Sequence, residues 1–138
     1  MNRYLQAITG KIKSITKNLI LNGSFDTGSN WNLVQCSISS GLANINTLSA
    51  YITPLTQLKT FKLNSRYRVT FTISNYVSGA IYPLVGWNNP GIVVSKNGTY
   101  SCIVKCLDAT NLNVFYLRVH SAGFVGSIDN VIVSLVIN

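Results

Sequence analysis

Beyond about residue 19 the apolar residues of this chain return at every second position, a period that suits strands and not helices. The segment from Arg66 to Ile73 shows it best. Tyr67, Val69, Phe71 and Ile73 alternate there with Arg66, Arg68, Thr70 and Thr72. One apolar face and one polar face describe a strand with a core on one side and water on the other. Asn97-Gly98 is a turn signal. The strand after it points Tyr100, Cys102, Val104 and Cys106 one way and Ser101, Ile103 and Lys105 the other. A strand from Asn113 turns Phe115, Leu117 and Val119 inward and Val114, Tyr116, Arg118 and His120 outward. The last strand sets Val131, Val133, Leu135 and Ile137 on one face. Further strands are predicted at 19–24, 32–38, 41–46, 49–53, 57–62, 80–87 and 91–95. About ten short strands, with turn residues every eight to twelve positions, predict an all-β sandwich.

The opening residues follow a different rule. Met1, Leu5, Ile8, Ile12, Ile15 and Leu19 recur at alternating steps of four and three. That spacing lays one apolar seam along a helix, as in a coiled coil. Leu5, Ile12 and Leu19 occupy one seam position and Met1, Ile8 and Ile15 the other. Leucine at the first and isoleucine at the second favours three or four strands over two. Gly10 lies in the middle and costs such a helix about 1 kcal/mol. A helix this short is marginal alone in water, so the segment is expected to need a partner. Residues 1–18 are therefore read as a helical or extended arm for assembly or docking, and residues 19–138 as the sandwich. Packing of the arm on its own domain is the alternative.

At 138 residues and 47% apolar composition the chain is one folded domain. No apolar run approaches the ~20 residues that span a bilayer, and no signal-peptide pattern follows the N-terminal cations. Charge is scarce and one-sided, with 11 Lys and Arg against three acids, Asp26, Asp108 and Asp129. Hydrolytic chemistry commonly holds two carboxylates, or a carboxylate and a histidine, close together. Three aspartates and His120 leave such chemistry little to work with, and Gly-X-Ser-X-Gly is absent. The expectation is no catalytic residue and no enzyme. The net charge of +8 suggests an acidic partner, with Arg3, Lys11, Lys13 and Lys17 of the arm as its candidate contacts. The other cations look scattered over outward strand positions, for which a solvated surface is the ordinary reading. No aromatic–basic repeat suggests nucleic acid. Cys36, Cys102 and Cys106 are odd in number, which argues against a disulfide framework. Cys102 and Cys106 share a strand face ~13 Å apart and cannot bond to each other. All three read as small buried hydrophobes of a chain matured in a reducing cytoplasm.

Two motifs frame the chain. Asn18-Leu19-Ile20-Leu21-Asn22-Gly23-Ser24-Phe25-Asp26 leads to Trp31 near the start, and Gly126-Ser127-Ile128-Asp129-Asn130-Val131-Ile132-Val133 lies near the end. With the alternating strands between, this resembles the jelly-roll β-sandwich of galactose-binding-like carbohydrate-binding modules. It looks more similar still to solitary copies of that sandwich in phage virion proteins. The resemblance covers about residues 18 to 137. It implies a structural calcium at Asp26 and Asp129, although calcium wants six to eight oxygens and only two carboxylates are offered. The ordinary reading is that Asp26 starts a turn with Thr27 and Gly28 while Asp129 bonds a neighbouring backbone amide. The resemblance also implies a sugar platform of exposed aromatics, for which Tyr82, Trp87 and Tyr116 are the glycan-contact candidates, with Tyr76 beside them. Trp31 reads as core.

The leading expectation is a non-enzymatic phage virion component, made in the host cytoplasm and displayed on the particle as capsid decoration or part of a fibre. Leu5, Ile8, Ile12, Ile15 and Leu19 would join copies, a trimer favoured, or dock on other virion proteins. The alternative is a carbohydrate-binding module for cell-surface glycans. Neither reading requires a cofactor, nucleic acid or membrane insertion.

Overall fold

A computed structural model describes residues 17–86, 90–107 and 113–137. The arm residues 1–16, Trp87 and Asp108 lie outside the described residues. Seven strands run in chain order β1 (Asn32–Leu33), β2 (Cys36–Ser39), β3 (Leu42–Thr47), β4 (Leu55–Leu58), β5 (Arg66–Val85), β6 (Gly98–Lys105) and β7 (Val114–Leu135). All pairings are antiparallel. Among the described residues there is no helix.

Two long strands organise the rest. β5 and β7 pair along most of their length, with register shifts at Thr70/Thr72, Ser74/Ser78 and Gly79/Ile81. Bulges of this kind bend a strand and sharpen its twist. Each long strand therefore serves two regions of sheet. Their first region is the β6–β5–β7 sheet, where residues 66–73 of β5 lie between β6 and the last part of β7. Their second is the β1–β4–β7–β5 sheet, where Phe115–Val119 of β7 lie between β4 and Ile81–Val85 of β5. β3, backed by β2, pairs with Phe124–Ile128 between the two. Both regions turn their apolar sides to one core. Tyr67, Val69, Phe71 and Ile73 enter it from the first and Ile81, Val85, Phe115, Leu117 and Val119 from the second.

Glycine makes the bend. Gly79 and Gly123 have φ of +82° and +77°, a region that side chains rarely enter. A Cβ on Gly79 would lie 2.1 Å from the Gly123 carbonyl oxygen, and one on Gly123 would lie 2.3 Å from that of Thr47. Three backbones thus touch where β3, β5 and β7 change direction.

The two framing motifs meet. Leu19 N–H donates to Val133 O at 2.7 Å and Val131 N–H to Gly23 O at 2.9 Å. Asn18 Oδ1 accepts from the backbone N–H of Ile20 at 3.0 Å and of Val133 at 2.9 Å. Asn22 and Phe25 both take positive φ, 52° and 55°. The Asn22 side-chain amide holds the following loop by donating to Thr27 O and Ser29 O, each at 2.8 Å.

The strand boundaries differ from the alternation in several places. The predicted strand 66–73 and residues 80–85 of the predicted 80–87 strand are parts of β5, and Val114–Val119 and Val131–Leu135 of the later predicted strands are parts of β7. The parity of the buried positions changes along β7, from Phe115, Leu117 and Val119 to Phe124 and Ile128 and then to Val131 and Val133, so one bent strand reads as two. Residues 19–24 pair with β7 only through isolated hydrogen bonds, because Asn22 leaves the extended region. The predicted 32–38 strand is divided by Gln35, whose φ is 52°. The 49–53 segment is a bend with Tyr51 at φ 57°, and pairing follows it at β4 instead of at 57–62. Residues 91–95 contribute only a bridge from Val94 to Ile81. Leu19, last of the apolar seam, packs half-buried against the domain's own core.

Candidate functional site

Residues directly opposite in an antiparallel ladder share a face. Asn32 pairs with Thr56, Thr56 with Tyr116 and Tyr116 with Leu84. Leu55, Leu117 and Phe115, on the other parity, are buried in the core. The row Asn32–Thr56–Tyr116–Leu84 therefore crosses the outer face of the β1–β4–β7–β5 sheet. With strands ~4.8 Å apart it is ~14 Å long. The neighbouring row sets Arg118 opposite Tyr82.

One end of this face is a groove of about 580 Å³ lined by Leu21, Asn30, Trp31, Asn32, Thr56, Gln57, Leu58 and Lys59. Its walls are fixed by buried bonds. Gln57 accepts the Leu21 N–H at 2.8 Å and donates to Leu21 O at 2.9 Å. One amide side chain thereby pairs with the incoming segment as a strand would. Trp31 Nε1–H donates to Asn22 O at 2.9 Å, and its ring packs 5.3 Å from Phe25 and 6.3 Å from Phe115. The indole is 8% exposed, so it belongs to the core and shows only an edge to the groove. Leu58, 78% exposed, is an apolar rim.

The other end is a cluster of rings around a guanidinium. Arg118 Nε donates to Tyr51 O at 3.0 Å, its Nη1 donates to Tyr82 Oη at 3.3 Å, and its Cζ stands 5.1 Å over the Tyr51 ring. His120 lies edge-on between Tyr51 and Tyr82, with centroid distances of 5.7 and 5.9 Å. Tyr82 is 6% exposed beneath these neighbours, while Tyr51 is 46% exposed. A tyrosine at positive φ is costly backbone, and such strain gathers where a side chain must be presented. The Arg118 bond to its carbonyl and the bond from Val119 N–H to Ile52 O at 3.0 Å hold the bend in place.

The face can stack, hydrogen-bond and attract negative charge. His120 Nδ1 lies 3.2 Å from Ser121 Oγ. Asp26 Oδ2 accepts from Ser24 Oγ at 2.8 Å, and Asp129 Oδ1 accepts from Asn130 N–H at 2.7 Å. Each carboxylate is thus engaged within its own segment. Among the described residues there is no group of three or more His, Cys, Asp and Glu that could hold a metal.

Of the residues singled out from sequence, Tyr82 and Tyr116 fall together on this face. Tyr76 does not; it packs against Phe124, and its hydroxyl donates to Gly79 O at 2.8 Å. Lys17 is exposed at the start of the described chain. Alternation over 49–53 predicts a strand and so does not single out Tyr51, which the bend at φ 57° carries to this face. The Tyr116, Arg118, His120 alternation was the available signal, since it named the face on which a fourth residue would converge.

No disulfide joins the three cysteines. Burial pushes the Cys36 thiol up to about 12 and raises the Tyr67 hydroxyl, which also accepts the Lys62 N–H at 2.8 Å.

No protein-family model matches the sequence, and no curated protein sequence matches it. Among solved structures the chain is similar to "CBM4 structure and function", a carbohydrate-binding module, at 14% identity. The match covers 84% of this chain and 99% of that one, with a TM-score of 0.53. The likeness shows the fold: an all-β chain of the carbohydrate-binding-module sandwich type.

Proposed function

We propose that this protein is a non-catalytic glycan-binding module and that an oligosaccharide lies across the outer face of the β1–β4–β7–β5 sheet. The observation that carries the reading is one continuous outward surface. It joins the Tyr51–Tyr82–Arg118–His120 cluster, through Tyr116 and Thr56, to the amide-lined groove at Asn32. Flat rings pack against the C–H faces of sugar rings, while Asn30, Asn32, Thr56 and Lys59 offer hydroxyl-binding groups. The sandwich likeness to a carbohydrate-binding module supports the same reading, and that class of module binds without catalysing. A glycan array with the wild type, Tyr116→Ala, Tyr51→Ala and Trp87→Ala tests it. Expected are hits that weaken about tenfold or more in the first two variants. Hits unchanged in both, or no hit above background, would remove the face as a sugar site.

A second reading concerns attachment. The seam Leu5, Ile8, Ile12, Ile15 runs directly into Leu19, which is fastened to β7. That continuity favours an arm that joins copies or docks the sandwich on a particle, as in a virion decoration or fibre protein. Sedimentation of the full chain against one starting at Lys17 separates the cases. A trimer that becomes a monomer supports self-assembly, and two monomers exclude it.

A further inference from the structure

The opposite surface, the outer face of the β6–β5–β7 sheet, has a different chemistry. Its rows follow from register. Arg66 lies opposite Lys105, and Arg68 lies between Ile103 and Ser134. Thr70 lies between Ser101 and Ile132, and Thr72 between Thr99 and Asp129. Cross-strand hydroxyl pairs, Thr70–Ser101 at 3.2 Å and Thr72–Thr99 at 2.9 Å, order the middle of the face. Three of the cations that look scattered in sequence meet at one end. Arg66, Arg68 and Lys105 are all exposed there, and Lys62 lies in the turn that leads into β5. Arg66 directly opposite Lys105 concentrates positive charge at this end of the face. Asp129 lies opposite Thr72, four residues along β5 from Arg68, and its carboxylate accepts the Asn130 N–H.

Two features select the kind of partner. Ile103 and Ile132 are 44% and 43% exposed and flank the Arg68–Thr70 pair. Arginine beside exposed aliphatic side chains is the composition of a protein interface. None of the rows presents an outward aromatic ring on which a sugar or a base could stack.

We propose that this face docks on an acidic polypeptide surface in which apolar residues lie among carboxylates. Arg66, Arg68 and Lys105 meet the carboxylates, and Ile103 and Ile132 cover the apolar part. The proposal is independent of the glycan reading, because it uses the other face.

The test is fluorescence anisotropy of the full chain with a labelled glutamate–tyrosine copolymer as probe and polygalacturonate as the sugar-acid comparison. Arg66→Glu with Arg68→Glu is expected to weaken copolymer binding about tenfold or more, and Ile103→Ser with Ile132→Ser about threefold or more. Replacing Lys11, Lys13 and Lys17 by Gln is expected to leave affinity within about twofold. These outward substitutions are expected to leave the melting midpoint close to wild type, and Arg68→Gln alone serves if the double reversal does not fold. The proposal is overturned if the arm variant abolishes binding while the face variants bind normally. It is equally overturned if polygalacturonate binds as tightly as the copolymer and the isoleucine variant has no effect.

Discussion

The two outer faces of this sandwich are built largely from the same two strands and share almost no surface chemistry. The first part of β5 turns Arg66, Arg68, Thr70 and Thr72 to solvent, while its last part sets Tyr82 and Leu84, both buried under their neighbours, on the outer side of the other sheet. β7 does the reverse, with Tyr116, Arg118 and His120 outward early and Ile132 and Ser134 late. Inside, both faces ask the same thing of the sequence, an apolar residue at every second position. Outside, each is free to vary, and a single strand can serve two surfaces because it bends between them. The lesson is that the bend is what allows the faces to diverge.

Breaking the bend should therefore damage both faces together. Gly123→Ala puts a Cβ 2.3 Å from the Thr47 carbonyl oxygen at φ +77°. The expected loss is about 3 kcal/mol or more, read by urea unfolding. A variant that melts like wild type would mean that this close approach is not what fixes the corner.

The next largest effect should separate the faces. Tyr51→Gly removes the exposed ring and relieves a positive φ. Stability should stay within about 1 kcal/mol, since the gain in backbone freedom offsets the lost cation–π contact. Glycan affinity should nevertheless fall about tenfold. Equal losses of stability and binding would make Tyr51 a packing residue.

The converse experiment is smaller. Thr70→Val with Thr72→Val deletes the hydroxyl pairs of the opposite face and should cost about 1 kcal/mol or less, with glycan affinity unchanged.

Alkaline pH probes the interior that both faces cover. The Cys36 thiol is held up to about 12 from an ordinary 9.0 by burial, so the folded state keeps a proton that the unfolded state releases. Stability is full below pH 9 and declines as pH rises from 9 toward 12, with Tyr67 acting in the same direction. Cys36→Ala should flatten that decline in melts across the range. The smallest effect expected is that of chelator: with Asp26 and Asp129 each bonded within its own segment, the melting midpoint should not move.

Fold class was legible in the sequence because alternation reports burial directly. Tyr67 to Ile73 and Phe115 to Val119 point where their parity says. Strand number was not legible, since a bulge interrupts the alternation and one bent strand reads as two. The site was half legible. Tyr116 stands on an outward position as its alternation says, whereas Tyr82, diagonal to it on the adjacent strand, is buried at 6% exposure and not an exposed ring. Tyr51 was hidden because it reaches Arg118 across 67 positions through a bend that no local pattern announces. The cationic end of the opposite face was hidden for the same reason. Nothing in the spacing of Arg66, Arg68 and Lys105 says which strands will be neighbours.

The asparagine that fastens the beginning of the domain to its end has a consequence for how the chain acquires its shape. The Asn18 side chain accepts a bond from the Val133 amide, 115 positions away. A growing polypeptide cannot make that connection until Val133 has left the ribosome. Topologies dominated by such distant pairings fold slowly, on the order of milliseconds to seconds. During that interval the Asn18–Phe25 segment waits without its partner strand, and synthesis rather than collapse sets when the domain can close.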